Sequence, residues 1–224
     1  MISIIIPVKN EEKTIENTLT QLEDLEGTYE ILVVDGGSTD ASKEIAAKKA
    51  RVIESEPGRG VQMNTGAQAS KGDILWFLHA DSKVDKNAIR AIQESIDHGA
   101  MGGCFSMYFY DWDAFRVRWI AVTSNWRARF LQLMFGDQGV FIRKDAFKEM
   151  GGFKEIPIME DWDFSKRAHK MGKMVVLPVK LGSSARRFKE GGATKTLLRM
   201  HKIKVMYLRG EDIDKIAREY REVR

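Results

Sequence analysis

Three acidic stations punctuate the chain, each beside an apolar run: Val33-Val34-Asp35-Gly36-Gly37-Ser38-Thr39-Asp40, Leu78-His79-Ala80-Asp81 and Met159-Glu160-Asp161-Trp162-Asp163. Carboxylates at strand ends project into the crevice where open α/β sheets bind ligands. Three of them suggest three tasks: holding a nucleotide, holding a metal and taking a proton.

Each station has its own chemistry. Asp35 sits before two glycines, which permit close backbone approach, so its carboxylate can accept a hydrogen bond from a base N–H or a sugar hydroxyl. The spacing is neither G-x-G-x-x-G nor a phosphate loop ending in G-K-[ST]. The plainer reading is a strand-to-helix turn with Ser38 or Asp40 as its cap. Asp81 follows a run of apolar residues, and a carboxylate there suits magnesium or manganese shared with phosphate oxygens; alternatively, Asp81-Ser82 caps the next helix. In Glu160-Asp161-Trp162-Asp163, three carboxylates in four residues repel one another, which can raise one of them toward a general base. The alternative is a helix start whose acids complement the dipole.

The elements that must position these groups are legible from periodicity. Strands are expected at Ile2–Pro7, Ile31–Val34, Arg51–Ile53 and Ile74–Leu78. Between and after them run helices: one capped by Asn10 with Ile15, Leu19, Leu22 and Leu25 on its face, then Asp40–Lys49, Gly58–Ser70 and Lys86–His98. Four strand–helix alternations in the first hundred residues predict a mostly parallel sheet with helices on both faces. The second half predicts strands at Gly103–Tyr110, Gly139–Arg143 and Lys173–Pro178. Helices are expected at Trp112–Phe135, Lys144–Met150, Asp161–Met171, Ala193–Leu208 and Glu211–Arg224. We expect one domain over 1–210, with a nucleotide-binding half (1–100) and an acceptor half (101–210), and a charged tail helix over 211–224.

Composition narrows the class. With 224 residues, 43% hydrophobic and 30% charged, the chain can bury a sizeable core and does not read as disordered. A net charge of +4 does not call for nucleic acid and permits an anionic ligand or membrane surface. The single cysteine, Cys104, cannot form an internal disulfide, and no Cys/His cluster has zinc spacing. The expected setting is the cytoplasm, with no signal peptide and no stretch near the ~20 apolar residues that span a bilayer.

Taken in order, Ile4-Ile5-Ile6-Pro7-Val8-Lys9-Asn10-Glu11, the Asp35 turn, His79-Ala80-Asp81 and Glu160-Asp161-Trp162-Asp163 resemble the motifs of the family 2 glycosyltransferases over roughly residues 1–190. The resemblance implies a Rossmann-like GT-A fold, a nucleoside-diphosphate sugar donor (UDP-sugar favoured), a divalent metal, Mn2+ or Mg2+, and inversion at the sugar carbon. It implies that Pro7, Asn10 and Glu11 line the nucleoside pocket, with Asp35 contacting the base beside Gly36. Asp81 matches the second acid of a D-x-D metal motif whose first acid is replaced here by His79. The acid usual after Asp35 is replaced by Gly36. Asp161, with Glu160 beside it, matches the acid motif that carries the catalytic base. Gly136-Asp137-Gln138-Gly139 resembles the acceptor-side loop, making Asp137 a second candidate for orienting an acceptor hydroxyl.

Two basic features fit the same picture. Arg59, between glycines at a helix start, can hold a diphosphate by charge and by backbone N–H groups; the alternative is a solvent-facing arginine. Arg186, Arg187 and Lys189 can close over the diphosphate as charge builds on the leaving group, or form a solvated basic edge.

In the long helix, Trp112, Trp119 and Trp126 recur every seven residues, with Phe115, Val122, Phe130 and Leu133 completing a stripe and Arg116, Arg118, Arg127 and Arg129 flanking it. Such a stripe packs on the sheet or on a second subunit, the reading we favour, or meets a membrane interface, placing the protein peripherally on its inner face.

The sequence therefore predicts a metal-dependent inverting glycosyltransferase of the hexosyltransferase class, acting on an acceptor hydroxyl that is lipid-linked or at the membrane surface. The rivals are a non-catalytic nucleotide-sugar binding module and a sugar nucleotidyltransferase. The latter is disfavoured because strand one leads into Pro7-Val8-Lys9-Asn10-Glu11-Glu12 rather than a glycine-rich loop.

Overall fold

A computed structural model describes residues 1–221. Ile2–Val8 (β1) is apolar on both sides, as a central strand of a covered parallel sheet must be. It is flanked by Tyr29–Asp35 (β2) and Ile74–Phe77 (β4), both parallel to it, while Arg51–Glu54 (β3) extends the sheet beyond β2. Phe141–Arg143 (β6) runs antiparallel to β4 and to Gly102–Phe109 (β5), and Met174–Ser183 (β7) pairs parallel with β5. The result is one seven-stranded sheet in the order β3-β2-β1-β4-β6-β5-β7.

The period of two along β1 divides the core. Ile4 and Ile6 point to a layer shared with Ile15–Glu23 (α1), Ser42–Ala47 (α2) and Ala88–Asp97 (α4). Ile5 points to the opposite layer, with Arg59–Ala69 (α3), Phe115–Leu131 (α5), Lys144–Glu149 (α6) and Glu160–Met171 (α7). Arg186–Gly191 (α8), Ala193–Leu208 (α9) and Ile213–Arg221 (α10) follow β7. A third cluster joins Ile203 and Met206 of α9 and Ile216 of α10 to Ile158, Met159 and Trp162 at the start of α7. The C-terminal helices thus lie over the entrance to the third acidic station.

Several sequence expectations are corrected. Asn10 does not cap α1; it adopts φ 57° and turns its side chain to the neighbouring loop, while Thr14 occupies the cap position. β7 does not stop at Pro178. Pairing skips from Leu177↔Phe105 to Lys180↔Ser106, so the proline falls in a bulge, where its missing N–H is harmless. Residues 186–191, to which the sequence assigned no element, are helical. Helix α5 begins at Phe115, which leaves Trp112 ahead of it and half-buried. Leu133 likewise leaves the stripe and packs with the third cluster. The buried face of α5 is Val117, Ile120, Ala121, Ser124 and Ala128, so the aromatic stripe does not pack on the sheet. Of the expected tail helix, residues 222–224 lie outside the described residues.

Candidate active site

The nucleotide corner forms where β1 and β2 end side by side, with Val8 opposite Asp35. Two loops leave these strands and are laced together. Asn10 Oδ1 accepts the Thr39 N–H at 2.8 Å, the Asn10 N–H donates to Ser38 Oγ at 3.0 Å, and the Glu11 N–H donates to Ser42 Oγ at 2.7 Å. Asp35, buried, accepts the N–H groups of Gly37 and Ser38, each at 3.1 Å from Oδ2. It therefore shapes its own turn, while an ionised carboxylate retains acceptor capacity for a ligand N–H or O–H. Pro7 lies half-buried in β1 beside Val34.

Gln62 had no motif to announce it. Its Nε2 donates to the carbonyls of Val8 and Val34, both at 2.8 Å, and so seals the end of the β1–β2 seam. A Cβ at position 36 would stand 2.8 Å from the Gln62 side chain. Gln62 thus occupies the space that a second acid after Asp35 would need, which accounts for Gly36.

The second corner gathers Asp81, Glu11 and Arg186. The Arg186 guanidinium lies 3.9 Å from Glu11 Oε1. Burial pushes the Asp81 carboxyl up, the negative Glu11 adds to this, and Arg186 and Arg187 oppose it. Among the described residues, no group of three His, Cys, Asp or Glu is arranged to hold a metal ion. A divalent cation at Asp81 would have to take most of its ligands from donor phosphates and water, a usual arrangement for magnesium. His79 turns toward the acceptor side instead: a Cβ on Gly136 would lie 2.7 Å from His79 Nε2.

The third corner separates the three carboxylates of the acidic motif. Glu160, only 3% exposed, pairs with Arg59 at 3.2 Å. Burial works against the Arg59 charge, but Glu160 beside it prevails and holds the guanidinium charged; the Tyr220 hydroxyl faces the same group. Asp163 accepts from Lys154 Nζ and Arg167 Nε, each at 2.6 Å. Burial opposes its charge, yet those two bonds outweigh it and hold the Asp163 carboxyl below the usual range. Among the described residues, Asp161 has backbone hydrogen-bond partners only: its Oδ1 accepts its neighbour Trp162 N–H at 2.7 Å and its Oδ2 accepts the Gly136 N–H at 3.2 Å.

Gly136 opens a 3-10 turn, Gly136–Gln138, that carries Asp137 beside Asp161. Asp137 Oδ1 is enclosed without a hydrogen-bond partner among the described residues. Burial pushes this carboxyl up, Arg127 opposes, and the charge of Asp161 adds to the rise. Arg127, expected to flank the aromatic stripe, instead turns inward. It donates to the Leu133 carbonyl and to Gln138 Oε1, both at 3.1 Å, and stacks 3.6 Å over the Phe135 ring. Lys204 of α9 stands 5.4 Å from the other partner of that stack, the same Phe135 ring, and burial followed by Arg127 pushes its ammonium pKa down.

The structure thus brings Pro7, Asn10, Glu11, Asp35 and Gly36 to one corner and joins Glu11 to Asp81 and Arg186. It sets Asp161, Asp137, Glu160 and Arg59 together at another. Arg187, whose guanidinium lies 4.9 Å over the Tyr220 ring, acts electrostatically on both Asp81 and Asp137 and so stands between the corners. Arg59 is engaged by the acid motif rather than projecting freely from α3. Lys189 leaves the expected diphosphate cluster, pairing instead with Asp111 at 3.5 Å. Asp111 also accepts the Ala185 N–H at 2.7 Å and the Ser184 hydroxyl at 2.8 Å, fixing the start of α8.

Comparison with known proteins bears on this geometry. The model of the family described as Glycosyl transferase family 2 matches residues 3–151. A probable glycosyltransferase of Bacillus subtilis, YdaM, is 24% identical over 198 residues, covering 76% of this chain and 47% of its own length. The chain spans less than half the length of that relative. Staphylococcus aureus TarS 1-349, crystallised with UDP-GlcNAc, superposes with a TM-score of 0.66 at 20% identity, covering 83% of this chain and 58% of TarS 1-349. The Pyrobaculum calidifontis mannosyltransferase PcManGT, in complex with GDP-Man and Mn2+, superposes with a TM-score of 0.67 at 18% identity, covering 92% of this chain and 64% of that one. These likenesses extend the GT-A architecture over nearly the whole sheet.

Proposed function

The chain belongs to glycosyl transferase family 2, and from that premise we propose that it transfers a sugar from a nucleoside-diphosphate donor to an acceptor hydroxyl with inversion. The observation that carries the reading is the sorting of the acidic motif. Glu160 pairs with Arg59, and Asp163 with Lys154 and Arg167, whereas among the described residues the Asp161 side chain is held by backbone N–H groups alone. A general base needs such a carboxylate, oriented but not tied to a cation.

In this mechanism Asp161 takes the proton of the acceptor hydroxyl as its oxygen attacks the anomeric carbon. The bond to the donor's diphosphate breaks with both electrons going to the leaving phosphate oxygen. The sugar passes through an oxocarbenium-like state, as in other displacements at an anomeric carbon. Arg186 and Arg187 face the charge that grows on the leaving group. Asp81 would hold a magnesium or manganese ion against the diphosphate, and such an ion neutralises developing negative charge. Asp35 and the laced loops at Asn10 and Glu11 orient the nucleoside, and Asp137 orients the acceptor. The donors bound by TarS and PcManGT, UDP-GlcNAc and GDP-Man, support a nucleotide-sugar donor; we favour a uridine nucleotide.

The test is a thermal-shift panel of UDP, GDP and TDP with manganese, followed by donor hydrolysis with the nucleotide that binds. Ligand that binds only the folded state raises the melting temperature with its concentration. A protein that binds none of the three, and hydrolyses none of their sugar conjugates, would refute the reading.

A further inference from the structure

Helix α5 exposes one unbroken apolar row. Phe115 is 82% exposed, Trp119 59%, Trp126 56% and Phe130 64%, with Val122 also exposed between the tryptophans. Their spacing of four, three, four and four residues puts them on one face. Large apolar side chains scattered singly are ordinary on protein surfaces; a continuous row is not.

The charge around the row selects what covers it. Helix α5 carries Arg116, Arg118, Arg127 and Arg129 and no acidic residue. Arg127 turns inward, but Arg116, Arg118 and Arg129 are exposed beside the row. A symmetric dimer through this face would set the arginines of one copy against those of the other, and Asp113, just ahead of the helix, is already paired with Arg118 at 3.8 Å. An anionic lipid surface complements both parts: acyl chains take the aromatic row and headgroup phosphates take the guanidinium groups. Tryptophan favours this boundary because its ring is apolar and its N–H is polar. Helix α9, joined to the start of α5 by Arg116 Nη1 donating to Thr194 Oγ1 at 3.1 Å, exposes a second apolar set, Leu198, Val205 and Leu208. No helix among the described residues is long and apolar enough to cross a membrane, so any such contact of these residues is made by lying on it.

We propose that the α5 face docks the protein flat on an anionic bilayer, through Phe115, Trp119, Val122, Trp126 and Phe130, with Arg116, Arg118 and Arg129 at the headgroups. The consequence for the site is geometric. The end of α5 runs through Gln132, at φ 55°, directly into the Leu133–Gly136 loop whose backbone holds Asp161. Docking sets that loop within a few residues of the lipid surface, which suits an acceptor embedded in it. The docking surface itself does not depend on the transferase reading.

The experiment is co-sedimentation of the full chain with vesicles of phosphatidylglycerol and phosphatidylethanolamine, against vesicles of phosphatidylcholine alone. We expect binding to the anionic vesicles that weakens with salt. It should fall at least tenfold in Trp119→Ser/Trp126→Ser/Phe130→Ser and in Arg116→Gln/Arg118→Gln/Arg129→Gln. Circular dichroism and melting temperature report that the variants fold, and neither readout requires transfer activity. Failure to bind anionic vesicles, or undiminished binding by both folded variants, would overturn the proposal. So would a dimer in sedimentation equilibrium that the aromatic variant dissolves, since the face would then belong to a second copy.

Discussion

The backbone N–H of Gly136 donates to Asp161 Oδ2 across 3.2 Å, tying the acceptor-side turn to the first turn of α7. The same glycine lies against His79, so one residue without a side chain touches two of the three acidic stations.

Asp161→Asn keeps the shape of the side chain and its hydrogen bond from Gly136 but cannot take a proton. We expect turnover to fall by about 10²–10⁴, the usual contribution of a positioned base. The nucleotide-induced rise in melting temperature should be unchanged. Wild-type turnover in this variant would remove Asp161 from the base's role.

Arg59→Met leaves Glu160 buried without its partner. Breaking a buried pair costs several kcal/mol; here we expect about 3 kcal/mol, at the low end because Arg59 keeps partial exposure. That corresponds to a fall in melting temperature of roughly 6–12 °C for a chain of this size. Adding Glu160→Gln should restore more than half of the loss, since no charge then remains buried. Urea unfolding of the two variants measures both numbers, and a double variant as unstable as the single one would contradict the account.

Asp137 gives a pH signature. Its folded carboxyl is pushed up, by burial first. Relative to the unfolded chain, the stability it contributes is full below the ordinary aspartate value and is lost as pH rises through the raised one. Asp137→Asn should therefore melt higher than wild type at pH 7–8, with the gap closing by about pH 4, near the unfolded aspartate value. Melting curves across that range decide it. The same substitution should slow transfer if Asp137 orients the acceptor.

Manganese should act only together with nucleotide. Asp81 and Glu11 alone make a sparse ligand set, so manganese without nucleotide should leave the melting temperature unchanged, while the pair should raise it beyond nucleotide alone. Asp81→Asn should abolish the extra rise and retain the nucleotide's own. Tight binding of manganese to the protein by itself would point to ligands other than these.

The parts of the fold that were legible are those where one physical signal dominates. Apolar runs such as Ile31–Val34 and Ile74–Phe77 read as buried strands, and their ends located Asp35 and Asp81. The end of β7 was not legible, because Pro178 reads as a stop unless its own strand bulges there, as β7 does between Leu177 and Lys180. Within the site, the three carboxylates of Glu160-Asp161-Trp162-Asp163 are equivalent in sequence. What distinguishes them is Arg59 of α3, 101 residues from Glu160, and, for Asp163, Lys154 in the loop before α7 together with Arg167 one turn along the same helix. Arg127 looked like a solvent-facing flank because its partner, Phe135, lies past the helix end. Gln62 and Tyr220 carry no motif; they matter through the backbone and guanidinium groups they reach.

The placement of α10 has a consequence in time. Tyr220 reaches Arg59 and Arg187, and Ile216 packs in the cluster that covers the start of α7. The nucleotide corner is made of neighbours in sequence, with β1 and β2 closing only short loops. The acceptor corner waits for the last described helix, across a far longer loop whose closure is entropically costlier. During synthesis, the corner where β1 and β2 end can take shape well before the corner that α10 completes.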